Sequence, residues 1–159
     1  MTDQNLQHML NMVYSEIDSL HKEALSIQED IYLQYYKNNQ RSGFDNKARY
    51  SMRLKKSGFS FLIIWEDVRF FGTRGNRVRI VKQVSKGTSD KYTLKKFKNA
   101  AEWELPIIES AEKQFEKIRK SLKCLGTCHK QILTLASIQG VQVQTGKQST
   151  GKSSLDVCQ

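Results

Sequence analysis

The stretch FSFLIIWEDVRFFGTRGNRVRIVKQV, residues 59–84, decides the fold of this 159-residue chain. In its first part, large apolar residues alternate with positions that are also mostly apolar: Phe59, Phe61, Ile63 and Trp65 against Ser60, Leu62, Ile64 and Glu66. A period of two is typical of a strand, and apolar residues on both faces indicate that the strand is mostly buried. We expect this strand to continue through Val68 and Phe70.

The second part of the stretch predicts a turn and another strand. GTRGN, residues 72–76, is typical of a glycine-rich turn. The period of two then returns, with one apolar and one partly basic face: Val78, Ile80, Lys82 and Val84 against Arg77, Arg79, Val81 and Gln83. After a further turn, SKGTSD, we expect a short third strand over residues 91–94. Residues 38–58 are polar and basic and fit a loop, with an additional strand over residues 50–54 as the alternative.

Amphipathic helices flank this β-rich segment on both sides. In the first, aliphatic residues recur four and three positions apart, the heptad spacing of an apolar helical seam: Leu6, Leu10, Val13, Ile17, Leu20, Ala24, Ile27 and Ile31. The second has similar spacing: Leu105, Ile108, Ala111, Phe115, Ile118, Leu122 and Leu125. We expect helices over residues 4–37 and 100–125, the second ended by Gly126. Pro106 is tolerated close to a helix start, so we expect the regular part of the second helix to begin near Glu104. The seams fit an antiparallel pair within one chain as well as a dimer of two copies.

These elements predict an α+β fold with a long N-terminal helix, a small antiparallel β-meander over residues 50–95, a second long helix and a flexible C-terminal tail. A chain of this length suits one domain with a core, which we assign to residues 1–130. Residues 131–159 end in VQVQTGKQSTGKSSLDVCQ, which has few large apolar residues. Such a segment buries too little surface to offset its ordering entropy, so we expect a disordered tail.

Positive charge is concentrated in the middle of the chain, whose formal net charge is +10. Residues 37–98 carry seventeen lysines or arginines against four acids, whereas residues 1–36 carry one lysine against six acids. Such a concentration attracts polyanions, of which nucleic acid is the usual partner and an anionic membrane surface a rarer one. A solvated basic surface without a partner is the alternative.

The candidate DNA-binding residues lie on the predicted strand–turn–strand unit and on the segment leading into the second helix: Arg69, Arg74, Arg77, Arg79, Lys82, Lys86, Lys95, Lys96 and Lys98. A hairpin with alternating arginines can lie along or within a DNA groove and contact phosphates and bases. Phe70, Phe71 and Tyr92 lie between these charges. They fit stacking on the exposed bases of a single strand, although such aromatic residues are more often core residues under a sheet.

Two short sequence patterns match functional motifs but lack the neighbouring elements or residues that such sites require. Residues 146–153 match the phosphate-binding pattern Gly-x-x-x-x-Gly-Lys-Ser, but only six residues follow, too few for the helix whose amides bind phosphate. Cys124, Cys128 and His129 are metal-binding residue types, but they lack the spacing of a paired metal motif. We therefore predict no catalytic residue, no metal, no cofactor and no enzymatic activity.

Nothing in the sequence indicates secretion or a membrane span. The longest apolar run, residues 59–65, is far shorter than the ~20 residues that a spanning helix needs. The first ten residues lack a basic start followed by an apolar stretch, and three cysteines do not suggest a disulfide framework. We expect a cytoplasmic protein.

Two segments resemble a known family. IIWEDVRFFGTRGNRVRI and KYTLKKFKNAAEWELPIIESAEKQFEKIR are similar to the MobI-type conjugative transfer proteins of mobile elements. The features that carry the resemblance lie within residues 55–120: Trp65, the Tyr92-x-Leu94-x-x-Phe97 step, Trp103-Glu104 and Ile118-Arg119. The resemblance implies an accessory factor in plasmid or integrative-element mobilisation that acts at the origin of transfer beside a relaxase. It assigns no role to individual residues.

Two functions are consistent with these observations. In the first, the chain is a non-enzymatic DNA-binding accessory factor of conjugation. Its basic meander contacts DNA, and its helices pair within the chain or join two copies. In the second, it is a protein–protein adaptor whose heptad helices dock a relaxase or coupling protein and whose basic surface contacts an acidic partner.

Overall fold

Two long helices and a three-stranded antiparallel sheet make up the computed structural model, which describes residues 3–43 and 46–146. Helix α1 spans Asp3–Arg41 and helix α2 spans Glu104–Ile138. Three strands lie between them in sequence: β1 (Tyr50–Ser57), β2 (Ser60–Phe71) and β3 (Val78–Gln83). A 3-10 helix at Leu94–Lys96 precedes α2. The predicted α+β class is confirmed.

The seam of α1 is buried inside the chain. All of its predicted positions are buried except Leu20, which is half-buried against the same core. Helix α2 runs antiparallel to α1, because Tyr14 near the start of α1 contacts His129, whereas Tyr35 near its end contacts Trp103 just before α2. Packing of such a stripe contributes more to the stability of a long helix than propensity does. Of the two pairings that the heptads fit, the intramolecular one is present.

Helix α2 does not end at Gly126, so the predicted end at residue 125 is wrong. The helix continues to Ile138. A glycine in a helix interior costs ~1 kcal/mol relative to alanine, but Ile132 and Ala136 beyond it are buried in the core that contains the first turns of α1. This packing outweighs the cost of the glycine. Residues 131–138, which the sequence places in the tail, are therefore helical.

Strand β2 is the central strand of the sheet, whose order is β1-β2-β3. The register runs from Tyr50–Asp67 to Ser57–Ser60 between β1 and β2, and from Glu66–Gln83 to Phe71–Val78 between β2 and β3. The strand over residues 50–54 is therefore present and extends to Ser57, and the expected continuation of β2 through Phe70 is confirmed. Phe61, Ile63 and Trp65 lie on the face of β2 that packs in the core.

Residues 91–94 do not form a strand, so the prediction of a third strand at this position is wrong. Tyr92 is buried, and its backbone N donates to Oε2 of Glu112 at 2.8 Å. Because a side chain of α2 binds this N–H, it is not available to a neighbouring strand. The sheet reaches three strands through β1 instead.

Phe97, like Tyr92, fixes the chain against the core before α2 begins. The ring of Phe97 packs edge-on against Trp65, at 5.5 Å between centroids, and against Tyr50, at 5.0 Å. Turns follow, with the backbone N of Glu104 donating to the carbonyl of Ala101 at 2.9 Å. Helix α2 therefore begins at Glu104, where the position of Pro106 predicts that its regular part starts.

Candidate nucleic-acid interface

The β2–β3 hairpin carries the candidate interface. Every residue from 69 to 83 is exposed, on both faces of the two strands, and we refer to residues 69–83 as the ribbon. The earlier part of β2 differs, because Phe61, Ile63 and Trp65 pack in the core. An exposed two-stranded ribbon has a width that the major groove of B-DNA can admit.

The tip of the ribbon is a tight turn that requires glycine. Gly72 and Gly75 have φ angles of 102° and 98°, which lie in the left-handed region that side chains disfavour. The backbone N of Asn76 donates to the carbonyl of Thr73 at 2.9 Å. A Cβ added to Gly72 would lie 2.4 Å from the carbonyl oxygen of Asn76, so a larger residue would displace the turn.

Four of the predicted binding residues are exposed along the ribbon: Arg74, Arg77, Arg79 and Lys82. Arg74 and Arg77 lie at the tip. Arg79 and Lys82 lie three positions apart on β3 and therefore on opposite faces. Cationic side chains thus surround the ribbon instead of lining one face.

Arg69, at the base of the ribbon, is a predicted binding residue that also has a structural partner. Its Nη2 donates to Oδ2 of Asp67 at 3.1 Å, and Nε of Arg49 donates to Oδ1 of the same carboxylate at 2.5 Å. Burial by itself raises the pKa of Asp67, but hydrogen bonds from the two arginines outweigh it and hold this pKa below its ordinary value. These ion pairs tie the ribbon to the residue that precedes β1.

Three further predicted binding residues lie near the base of the ribbon and are exposed: Lys95, Lys96 and Lys98. They flank Phe97, whose ring contacts Tyr50, and Tyr50 is the residue of β1 that lies opposite Asp67. Lys86 is half-buried three residues beyond the ribbon, in a cleft that is also lined by Gln83 of the ribbon and by Ser60 and Leu62. The structure therefore places every predicted residue on the ribbon or near its base, with Lys86 less exposed than the others.

The three aromatic residues between these charges fit either base stacking or core packing, and the structure separates them. Tyr92 is 2% exposed and belongs to the core, with Cζ of Arg119 5.1 Å from its ring centroid. Phe70 and Phe71 are 62% and 51% exposed. Only these two rings are accessible to a ligand.

Sequence reasoning missed the buried ionisable side chains of α2: Glu104, Glu112 and Arg119. By residue type, Glu112 fits the charged surface of the helix, yet its side chain is buried. A signal was present in the spacing, because residue 112 follows Ile108 by four positions and precedes Phe115 by three. It therefore lies on the apolar stripe.

Glu112 is the centre of a buried hydrogen-bond network. It accepts from Nε1 of Trp65 at 2.7 Å, from the backbone N of Tyr92 at 2.8 Å, and from both terminal nitrogens of Arg119 at 2.9 and 3.1 Å. Arg119 also donates to the carbonyls of Ile63 and Asp90. The pairing and these hydrogen bonds allow the two charges to be buried, although Nε of Arg119 has no hydrogen-bond partner among the described residues. The network joins α2 to the central strand and to the segment around Tyr92.

Glu104 makes a second such connection at the start of α2. Its Oε1 accepts from the backbone N of Arg49 and of Tyr50, each at 2.8 Å, and its Oε2 accepts from the backbone N of Ala101 at 2.9 Å. Burial raises the pKa of Glu104 although these hydrogen bonds favour the charged form. The carboxyl group fixes the beginning of β1 to the first turn of α2.

A cleft of about 880 Å³ lies at the end of the sheet away from the ribbon, beside the β1–β2 turn. The hydroxyl of Tyr14 is 2.9 Å from Nε2 of His129, and the backbone N of Gly146 donates to the same hydroxyl at 2.9 Å. The His129 ring stacks on Phe59 at 3.8 Å between centroids. Burial lowers the pKa of His129.

The cysteines and histidine that suggested a metal site do not converge. Cys124 and Cys128 are exposed free thiols, whereas His129 is buried against Tyr14 and Phe59. Within residues 3–43 and 46–146, no group of three His, Cys, Asp or Glu side chains is arranged to hold a metal ion. Of the residues that match the phosphate-binding pattern, 147–153 lie outside the described part of the chain.

Membrane insertion of a helix finds no support in the part of the chain that the structure describes. No helix there is both long enough and apolar enough to cross a bilayer.

Comparison with protein families identifies the chain. The family described as MobI protein matches residues 20–133. The chain belongs to the MobI family. The match includes the whole sheet, the ribbon and most of both helices, and membership indicates a role in conjugative mobilisation. Comparisons with curated proteins and with solved structures gave no match.

Four of the residues that carry the resemblance to the MobI family belong to the buried scaffold. Trp65, Tyr92 and Arg119 are linked through Glu112, while Phe97 packs on Trp65. These side chains are buried together behind the sheet. They position the ribbon and do not lie on it.

Proposed function

We propose that this MobI protein is a non-enzymatic DNA-binding accessory factor of conjugative transfer, which acts in the cytoplasm at the origin of transfer beside a relaxase. The observation that supports the proposal is the exposed ribbon. It contains five basic residues and no acidic one. Family membership supplies the biological setting, and the ribbon supplies a surface with the charge and shape that DNA requires.

The electrostatics of the ribbon favour contact with phosphates. Arg74 and Arg77 lie at the tip, and Arg79 and Lys82 lie on opposite faces of β3. In a groove, side chains on both faces reach the two flanking phosphate backbones, while the tip reaches the base edges. Exposed lysines around Phe97 extend the positive surface at the base of the ribbon.

A salt titration with matched variants tests this function. Binding of a fluorescently labelled duplex from the origin of transfer is measured by anisotropy between about 50 and 200 mM salt. The double variant Arg74→Ala/Arg79→Ala should bind at least about tenfold more weakly, and the slope of log affinity against log salt should fall by about two. The control Lys113→Ala/Lys117→Ala removes the same charge from exposed positions of α2 and should change little.

Two results would contradict the proposal. One is an affinity that does not change with salt. The other is an equal loss of binding in the ribbon variant and in the α2 control, since that result would reflect total charge and not the ribbon.

The adaptor hypothesis needs a surface other than the heptad seam. Every seam position of α1 is buried or half-buried within the chain. A relaxase or a second copy of this chain would therefore contact different residues. Co-purification with the relaxase, measured for wild type and for Arg74→Ala/Arg79→Ala, separates the two functions. The adaptor is favoured if the ribbon variant loses the relaxase and keeps DNA binding.

A further inference from the structure

The two phenylalanines at the end of β2 have no place in the core. Phe70 and Phe71 are the last residues of the strand, and each exposes more than half of its surface. Because they are successive residues of a strand, their rings lie on opposite faces of the ribbon. The opposing strand adds Val78 and Ile80, which are 60% and 48% exposed, so the apolar surface continues across the hairpin.

Each ring has an arginine on the same face of the ribbon. Phe70 lies directly opposite Arg79 in the register of β2 and β3. Arg69 precedes Phe71 by two positions and lies on the same face. Side chains paired across strands are about 5 Å apart at Cβ. A flat apolar group on Phe70 therefore has the Arg79 guanidinium group next to it, whereas Nε and Nη2 of Arg69 both donate to Asp67, which lies on the side of Arg69 away from Phe71.

The charge of the ribbon restricts what can cover these rings. Five basic residues and no acidic one lie within residues 69–83, so two ribbons from two copies of the chain would repel each other. A nucleotide has an aromatic group and an anion that complement the apolar and cationic residues of the ribbon. Its base is a flat aromatic group that stacks on phenylalanine, and its phosphate is an anion for the adjacent arginine.

Because the two rings lie on opposite faces, the ribbon should bind single-stranded and duplex DNA differently. In a duplex, neighbouring bases cover one another and only their edges face the grooves. A ribbon that enters a groove with its tip toward the base edges turns its two faces toward the phosphate backbones, so neither Phe70 nor Phe71 would stack on a base. Unpaired bases present their faces and can stack on both rings.

We propose that the ribbon binds single-stranded DNA by stacking unpaired bases on Phe70 and Phe71, with Arg79 contacting an adjoining phosphate. The inference rests on the proposed DNA-binding function and names the form of DNA that this site prefers.

The test compares one strand with its duplex. Binding of labelled oligo(dT) of about 20 nucleotides and of a duplex of the same length is measured by anisotropy for wild type, Phe70→Ala, Phe71→Ala and the double variant. Each single substitution should weaken single-strand binding by about tenfold and change duplex binding by less than about twofold. Met12→Ala removes a side chain of comparable exposure, 57%, near the start of α1, and should leave both affinities unchanged.

A fluorescent residue at the same position reports stacking directly. Phe70→Trp keeps a ring at position 70 and should retain single-strand binding. Oligo(dT) should quench the additional tryptophan emission, and the duplex should not. The native tryptophans serve as the reference, since the wild-type protein shows how much their emission changes.

Three outcomes would overturn the inference, and they differ from failure of the proposed function. In the first, the double phenylalanine variant binds the single strand as wild type does, while Arg74→Ala/Arg79→Ala still weakens duplex binding; DNA binding then stands without stacking. In the second, the phenylalanine variant loses both forms of DNA equally. In the third, wild type self-associates with increasing concentration, the phenylalanine variant does not, and DNA affinities are unchanged, which assigns the rings to a second copy. If wild type binds neither form of DNA, the proposed function itself fails.

Discussion

Removal of Arg119 tests how the buried network stabilises the fold. In Arg119→Met, the carboxylate of Glu112, which is 1% exposed in the wild-type chain, would lose its paired cation and two hydrogen bonds. Breaking a buried ion pair from one side costs about 3–5 kcal/mol, because the remaining charge is unpaired. Water screens this pair little, since Arg119 is only 9% exposed. Against a typical total stability of about 5–15 kcal/mol, the loss is large.

The loss of stability caused by Arg119→Met should be smaller when the unpaired charge of Glu112 is also removed. Glu112→Gln/Arg119→Met leaves a neutral amide whose oxygen can accept from either Trp65 or the backbone N of Tyr92, but not well from both. One unsatisfied N–H costs about 1–3 kcal/mol. We therefore expect the double variant to be about 2 kcal/mol more stable than Arg119→Met alone.

Urea unfolding, followed by tryptophan fluorescence and far-ultraviolet circular dichroism, measures both effects. Lys120→Met is the control, because it breaks an exposed ion pair with Glu116 on the same helix and should not shift the midpoint. An Arg119→Met midpoint equal to that of the control would refute the stabilising role of the network. A double variant no more stable than the single one would show that lost packing, and not the unpaired carboxylate, dominates.

Three further predictions concern His129, Gly72 and Gly126. Because burial lowers the pKa of His129 below 6.5, the unfolded chain binds this proton more readily. The free energy of unfolding should therefore fall as pH drops below about 6.5, and His129→Gln should reduce this dependence, as urea midpoints at neutral and mildly acidic pH would show. Gly72→Ala should weaken DNA binding in the anisotropy assay with little change in the unfolding midpoint, because its Cβ would strike Asn76 at the exposed tip. Gly126→Ala, with open space around the added Cβ, should instead stabilise α2 by about 0.5–1 kcal/mol.

Elements with a continuous periodic pattern could be predicted from the sequence. The heptad seam of α1 and the alternation in β2 each extend over several repeats, so neighbouring positions support one another. The end of α2 could not be read in this way. Gly126 is a local stop signal, and its effect is reversed by packing of Ile132 and Ala136 against a helix that lies more than a hundred residues away in sequence.

The charged residues of the candidate site could be predicted from the sequence, but which aromatic residues are exposed could not. Arg74, Arg77 and Arg79 follow from composition and from the turn between two strands. Phe71 and Tyr92, by contrast, are both aromatic residues among lysines and arginines, and local sequence does not distinguish them. Tyr92 is buried because Glu112 binds its backbone N and Arg119 covers its ring. Phe71 is exposed because its strand continues beyond the core.

The family features and the proposed binding residues lie on the same strand but respond to different experiments. Trp65 connects the middle of β2 to Glu112, and the ribbon begins four residues later at Arg69. Substitution of a scaffold residue such as Arg119 should reduce transfer by destabilising the fold, so a loss of transfer alone would say nothing about DNA contact. Substitution of Phe70 leaves the buried network intact. A transfer defect in Phe70→Ala, with an unchanged unfolding midpoint, would therefore assign the function to the ribbon.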